Sequence, residues 1–169
     1  MAEPIIDASV AGSSSNSYVS FAFADAYFAD TLDASEWLGY GREDRARGLI
    51  SATRTIDEEF RYYGRPHDLL TPQALKFPRD GDRDSSGNLR VPDGIEYATC
   101  ELALYLLRGQ RSPDLVDRER LQEQGVRKFN VDGVAEQYRN GVWDNFPRRV
   151  RKLLRPFIDM GGSTVTGDW

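Results

Sequence analysis

Asp80-Gly-Asp82-Arg-Asp84-Ser-Ser-Gly87 sets three carboxylates at alternate positions of a 169-residue chain, a spacing that invites a calcium reading. A calcium loop of the EF-hand kind needs acids at positions 1, 3 and 5, glycine at 6 and a bidentate glutamate at 12. Counted from Asp80, position 6 is Ser85 and position 12 is Val91. Both the sharp turn and the bidentate ligand are missing, so a solvated, turn-rich loop is expected and no metal site is assigned. His67 is the only histidine, and no second histidine or neighbouring cysteine completes a zinc set around it. The single cysteine, Cys100, falls among apolar residues and reads as a small hydrophobe rather than a nucleophile. No nucleophile elbow, Walker loop or GxGxxG is present. No enzyme activity and no cofactor are expected.

The local charge signal is Arg148-Arg149-Val-Arg151-Lys152-Leu-Leu-Arg155, with five positive charges in eight residues. On a helix, Arg148, Arg151, Lys152 and Arg155 share a side that flanks Val150, Leu153 and Leu154. Such a side is either a solvated outer face or an electrostatic contact with an acidic partner surface or with DNA phosphates. Tyr62, Tyr63, Phe77, Tyr138, Trp143 and Trp169 are the aromatic residues that could stack on bases. A single-strand binder combines such rings with a continuous basic groove. Here they are scattered over segments of mixed charge, which suits core or interface residues.

The elements that must carry these groups can be read from periodicity. Ser20 is a good N-cap, and Ala22 to Asp30 reads as a first helix with Phe23, Tyr27 and Phe28 on its apolar side. Thr31 to Gly41 is a connection carrying Trp37. Ala46, Leu49, Thr53, Ile56 and Phe60 recur at helical spacing, with Ile50 beside them, which predicts a second helix from about Arg42 to about Tyr62. Residues 63–92 hold turn signals at Asp80-Gly81 and Ser86-Gly87-Asn88 and read as a long irregular loop.

A third helix is expected from about Asp93 to Arg108. Ile95, Ala98, Leu102, Tyr105 and Leu106 form one face, widened by Tyr97, Cys100, Leu104 and Leu107, so this helix should be central. Leu121–Asn130 and Val134–Tyr138 flank the turn signal Asp132-Gly133 and suggest a β-hairpin. Pro147 opens a fourth helix carrying Val150, Leu153, Leu154, Phe157 and Ile158, which Pro156 should end or kink near Arg155. The fold class is therefore mainly α: a small bundle of about four helices with a long irregular loop and a β-hairpin. Residues 1–15 read as a flexible segment, 16–158 as the helical domain and 159–169 as a polar tail.

Composition bounds the function. Hydrophobic residues are 40% and charged residues 29%, ordinary for a globular domain. The net charge of -5 lacks the basic footprint of a protein that coats nucleic acid, so any such contact must be local. One cysteine excludes an internal disulfide. The N-terminus has no basic segment followed by an apolar run, so no signal peptide is expected, and no apolar stretch is long enough to span a membrane.

Three segments carry a resemblance: Asn16-Ser-Tyr-Val-Ser20 running into Phe21–Phe28, Ala52-Thr-Arg-Thr-Ile-Asp57, and Ala74-Leu-Lys-Phe-Pro-Arg-Asp-Gly81. In order and spacing they resemble the opening of small head–tail connector (head-completion) proteins of tailed phages. Some relatives of that group carry the label DnaT-like single-stranded-DNA-binding protein. Asp93–Leu107, Val126–Tyr138 and Pro147–Phe157 are similar to the central helix, hairpin and closing helix of such connectors. Residues 109–130 are longer and more charged than the pattern.

The resemblance implies a homo-oligomeric ring, twelve subunits to match portal symmetry, in the virion neck between head and tail. Its partners would be the portal protein, a tail or stopper protein and the double-stranded DNA passing through the channel. It would be made in the host cytoplasm and contact no membrane. The partner-binding residues expected on this reading are Arg148, Arg151, Lys152, Arg155, Phe157 and Trp169. The alternative is a single-stranded-DNA-binding accessory protein of phage replication.

Overall fold

The computed structural model describes residues 4–67, 72–111, 128–131, 134–137 and 146–159. Five helices are present among them: α1 (Phe21–Ala29), α2 (Ala34–Gly39), α3 (Arg42–Glu59), α4 (Asp93–Arg111) and α5 (Arg148–Leu154). The architecture is mainly helical. Strands β1 (Lys128–Val131) and β2 (Val134–Gln137) pair antiparallel, with Lys128 opposite Gln137 and Val131 opposite Val134. Residues 132–133 between them, the rest of 112–145, and the tail 160–169 lie outside the described residues.

Ser20 caps α1, its hydroxyl accepting the Phe23 N–H at 3.2 Å. The helix stops where the Thr31 N–H and hydroxyl both turn back onto the Phe28 carbonyl, each at 2.9 Å. The following segment, expected as a connection, contains α2. The reason is Trp37: its ring stacks on Phe28 at 4.7 Å and its Nε1 donates to Asp25 at 2.7 Å, which draws one helical turn onto the bundle. A six-residue helix is too short for a periodic signal and is made by that tertiary contact.

The expected inward residues of α3, Ala46, Leu49, Thr53, Ile56 and Phe60, are all buried. The helix ends at Glu59, and Phe60 is already extended. Helix α4 is central, packing against α1, α3 and α5. Cys100, Leu104 and Leu107 of its second face are buried, as are Ile95, Ala98 and Leu102 of the first, whereas Tyr105 and Leu106 are half-buried and Tyr97 reaches the surface. Two glycines set the closeness of these crossings. A Cβ on Gly48 of α3 would meet Leu107 at 3.1 Å, and one on Gly94 of α4 would meet Phe157 at 2.7 Å.

Helix α5 ends at Leu154, two residues before Pro156. Its exit is pinned to the segment after α3: Tyr63 N–H donates to the Phe157 carbonyl at 3.0 Å and Asp159 N–H to that of Arg61 at 2.9 Å. The N-terminal segment folds back on itself, the Asp7 carbonyl accepting from the Asn16 and Ser17 amides, and Ala74 N–H reaches the Gly12 carbonyl at 2.9 Å.

Candidate functional site

The three segments that carry the family likeness meet at one point on α3. Tyr18 comes from the first, Thr53 and Asp57 from the second, and Lys76, Phe77 and Arg79 from the third. The Tyr18 N–H donates to Thr53 Oγ1 at 3.2 Å, and its phenol donates to the Asp57 carboxylate. The other Asp57 oxygen accepts the Lys76 N–H at 3.0 Å. The Lys76 ammonium crosses the end of α3, donating to the Asp57 carbonyl and to that of Phe60 at 2.9 Å. The carbonyls at a helix C-terminus lack intrahelical partners and carry partial negative charge, so a lysine there is doubly suited.

The Phe77 ring meets Tyr62 edge-on at 4.8 Å and Tyr18 at 6.0 Å, and Arg79 donates to the Tyr62 carbonyl at 3.1 Å. Burial pushes the Asp57 carboxyl above its ordinary value, against the opposing pull of the Tyr18 and Lys76 bonds. Burial first, and the Asp57 charge second, push the Tyr18 phenol up. These motif residues are spent on holding residues 72–79 against α3. They form a clamp and present little to a ligand.

Two of the three loop acids are likewise occupied. Asp84 accepts from the Asn88 and Ser86 amides, both at 2.9 Å, and the bonds from Asn88 above all hold its carboxyl below the ordinary value. Asp82 accepts the Arg79 N–H at 2.6 Å. Gly87 takes φ +83°, the left-handed turn conformation that side chains disfavour. His67 Nδ1 stands 3.6 Å from Asp80, too long for a hydrogen bond. Cys100 is fully buried, and burial raises its thiol far above the range of a reactive cysteine. Among the described residues, no three His, Cys, Asp or Glu side chains group as metal ligands.

The structure separates the expected basic face. Arg148, Lys152 and Arg155 are exposed, at i, i+4 and i+7, and no ion pair involves them among the described residues. Arg151 is half-buried with its Nε enclosed. Phe157 is half-buried, 5.9 Å from Phe77 and pressed on Gly94, so its ring serves internal packing. Trp169 lies outside the described residues, as do Tyr138 and Trp143. Of the other aromatic residues considered for stacking, Tyr62 and Phe77 are buried and Tyr63 is exposed.

Sequence reasoning missed the residues that adjoin the basic helix. Phe23 and Tyr27, one turn apart on α1, both stack on Tyr97 of α4, with centroids 6.2 and 5.1 Å away and rings tilted by 26°. The Tyr27 hydroxyl donates to Glu101 at 2.6 Å and accepts from Arg149 at 3.1 Å. Arg149 Nε lies 3.1 Å from the same Glu101 oxygen. The signal in the chain is two i, i+4 pairs, Phe23 with Tyr27 and Tyr97 with Glu101. Helical periodicity alone places all three rings on apolar faces, which reads as core.

A family model described as "Putative DnaT-like ssDNA binding protein" matches residues 5–167 of the chain. No curated protein and no solved structure matches it.

Proposed function

The chain belongs to this DnaT-like family, and we propose that it works as a structural connector of a phage virion, without catalysis. Copies would form a ring under the portal, joining the DNA-filled head to the tail and extending the channel for double-stranded DNA. The observation that carries this reading is the placement of three exposed apolar side chains, with Ile5 and Val10 of the N-terminal segment exposed as well. Leu32 and Leu38 are exposed at the α1–α2 corner, 102% and 62%, and Tyr63 is 58% exposed elsewhere.

Arg108, near the C-terminal end of α4, ties down that corner through Asp33 at 2.7 Å and Glu36 at 2.8 Å. Tyr63 is bonded to Phe157, which rests on Gly94 at the other end of α4. The anchors of these two points on α4, Arg108 and Gly94, are about 21 Å apart at the helical rise per residue. A ring needs two different patches per subunit, because its contacts are head-to-tail. Exposed apolar side chains anchored near opposite ends of α4 suit that need. The net charge of -5 suits a channel along which DNA slides without adhering.

The test is sedimentation velocity of the protein mixed with purified portal rings, wild type beside Leu32→Asp/Leu38→Asp. Attachment by the wild type and a drop of at least tenfold in affinity for the variant, with unchanged helical circular dichroism, is expected. Equal attachment by both would remove the corner from the interface.

A second reading, single-stranded-DNA binding, is supported by the family description and by the aromatic rings beside the basic helix. A labelled single-stranded oligonucleotide that co-sediments at low salt and is released by moderate salt is its expected signature.

A further inference from the structure

We infer that the ledge formed by Phe23, Tyr97 and Tyr27 together with the outer side of α5 is a contact site for a single strand of nucleic acid. This rests on the single-strand-binding reading rather than on the ring. Tyr97, 36% exposed, is the ring on which both others stack, and Phe23 and Tyr27 are half-buried. A face of this kind accepts any base, because every base has a π-surface.

The cations lie alongside it. Helix α5 runs antiparallel to α4: Arg149 touches Glu101, whereas the Leu153 carbonyl and Phe157 lie against Gly94. Between those two contacts lie Tyr97 on α4 and Lys152 on α5. Arg148 and Arg155 continue the same side one turn before and one turn after it. Arg149 is compensated by Glu101, but its side chain is still 59% exposed and it orients the Tyr27 hydroxyl.

Most acids nearby are accounted for, and Glu96, next to Tyr97, is half-buried with Arg90 as the cation that acts on it. Asp93, one turn before Tyr97, is paired with Arg90, and Glu101 is taken by Arg149 and Tyr27. What remains on the surface is three cations beside an aromatic face, a combination that matches phosphates spaced along stacked bases. A flat protein surface would use the cations but not the rings, and duplex DNA keeps its bases out of reach.

The test is fluorescence anisotropy of labelled oligothymidylate at low salt with the full chain. The wild type is compared with Tyr97→Ala and with Arg148→Glu/Lys152→Glu, each checked for native circular dichroism. Tyr97→Ala should weaken binding about fivefold or more, the effect of removing one stacked base. The charge reversal should weaken it further and flatten the salt dependence by about 0.7 in log–log slope for each phosphate no longer engaged. Because both reversed residues are exposed, that variant stays informative if Tyr97→Ala misfolds.

Binding by the wild type that neither variant alters would overturn the ledge and leave the single-strand reading standing on another surface. No binding by the wild type would overturn both. Equal affinity for a duplex, with Tyr97→Ala unaffected, would reduce the contact to charge alone and also overturn the ledge.

Discussion

Asp57 is the residue on which the clamp turns. It accepts from a phenol and an amide that come from segments 39 and 19 positions away. Asp57→Asn replaces one acceptor by an amide donor facing the Lys76 N–H, so a buried donor is left without its partner. We expect a destabilisation of about 1–3 kcal/mol in denaturant unfolding at neutral pH. The effect should depend on pH. Burial raises the Asp57 carboxyl in the folded state, so the folded chain binds this proton more readily than the unfolded chain. Its contribution is therefore full below the ordinary carboxylate range and is lost as the pH rises through the folded value. The gap between wild type and Asp57→Asn should widen as the pH falls from about 7 to about 4. A gap that narrows would mean that the Tyr18 and Lys76 bonds outweigh burial.

At the scale of elements, the α4–α5 crossing depends on a missing side chain. A Cβ at Gly94 would also stand 3.1 Å from the Leu153 carbonyl, a backbone atom that cannot turn away. Gly94→Ala gains helix propensity but must move α5, and overpacking of this kind costs about 1–3 kcal/mol. We expect net destabilisation in thermal melts, larger for Gly94→Val. An equal or higher melting temperature would show that Phe157 swings aside freely. The apolar period of α3 and α4 was legible in the chain, since Leu49, Ile56, Ile95 and Leu102 face inward as their spacing requires. Helix α2 was not legible, because Trp37 acts through Phe28 and Asp25 rather than through any neighbour in sequence.

For the whole molecule, one apolar cluster runs from Tyr18 and Val19 through α3 and α4 to Leu154 and Ile158. Elements that share a core unfold together. Far-UV and near-UV circular dichroism should therefore report a single coincident thermal transition. Two separated transitions would mean that α5 and the clamp segment melt independently of the α3–α4 pair. The charge of -5 belongs to this scale too, and it hides the local sign of α5. Among the described residues, no helix is long and apolar enough to cross a membrane.

By itself the sequence determined the helical class, the inward faces of α3 and α4, the cap at Ser20 and the end of the last helix near Pro156. Each follows from interactions within a few residues: spacing, capping and the missing N–H of proline. It also showed that the Tyr18, Asp57 and Lys76 segments belong together in order, but not why. Only the tertiary structure decided that they close one clamp. It likewise decided that Arg149 is paired while Arg148, Lys152 and Arg155 face outward, and that Tyr97 meets Phe23 and Tyr27. Those outcomes depend on which helices touch and at what distance, and contacts between residues 39 or 74 positions apart leave no period in the chain.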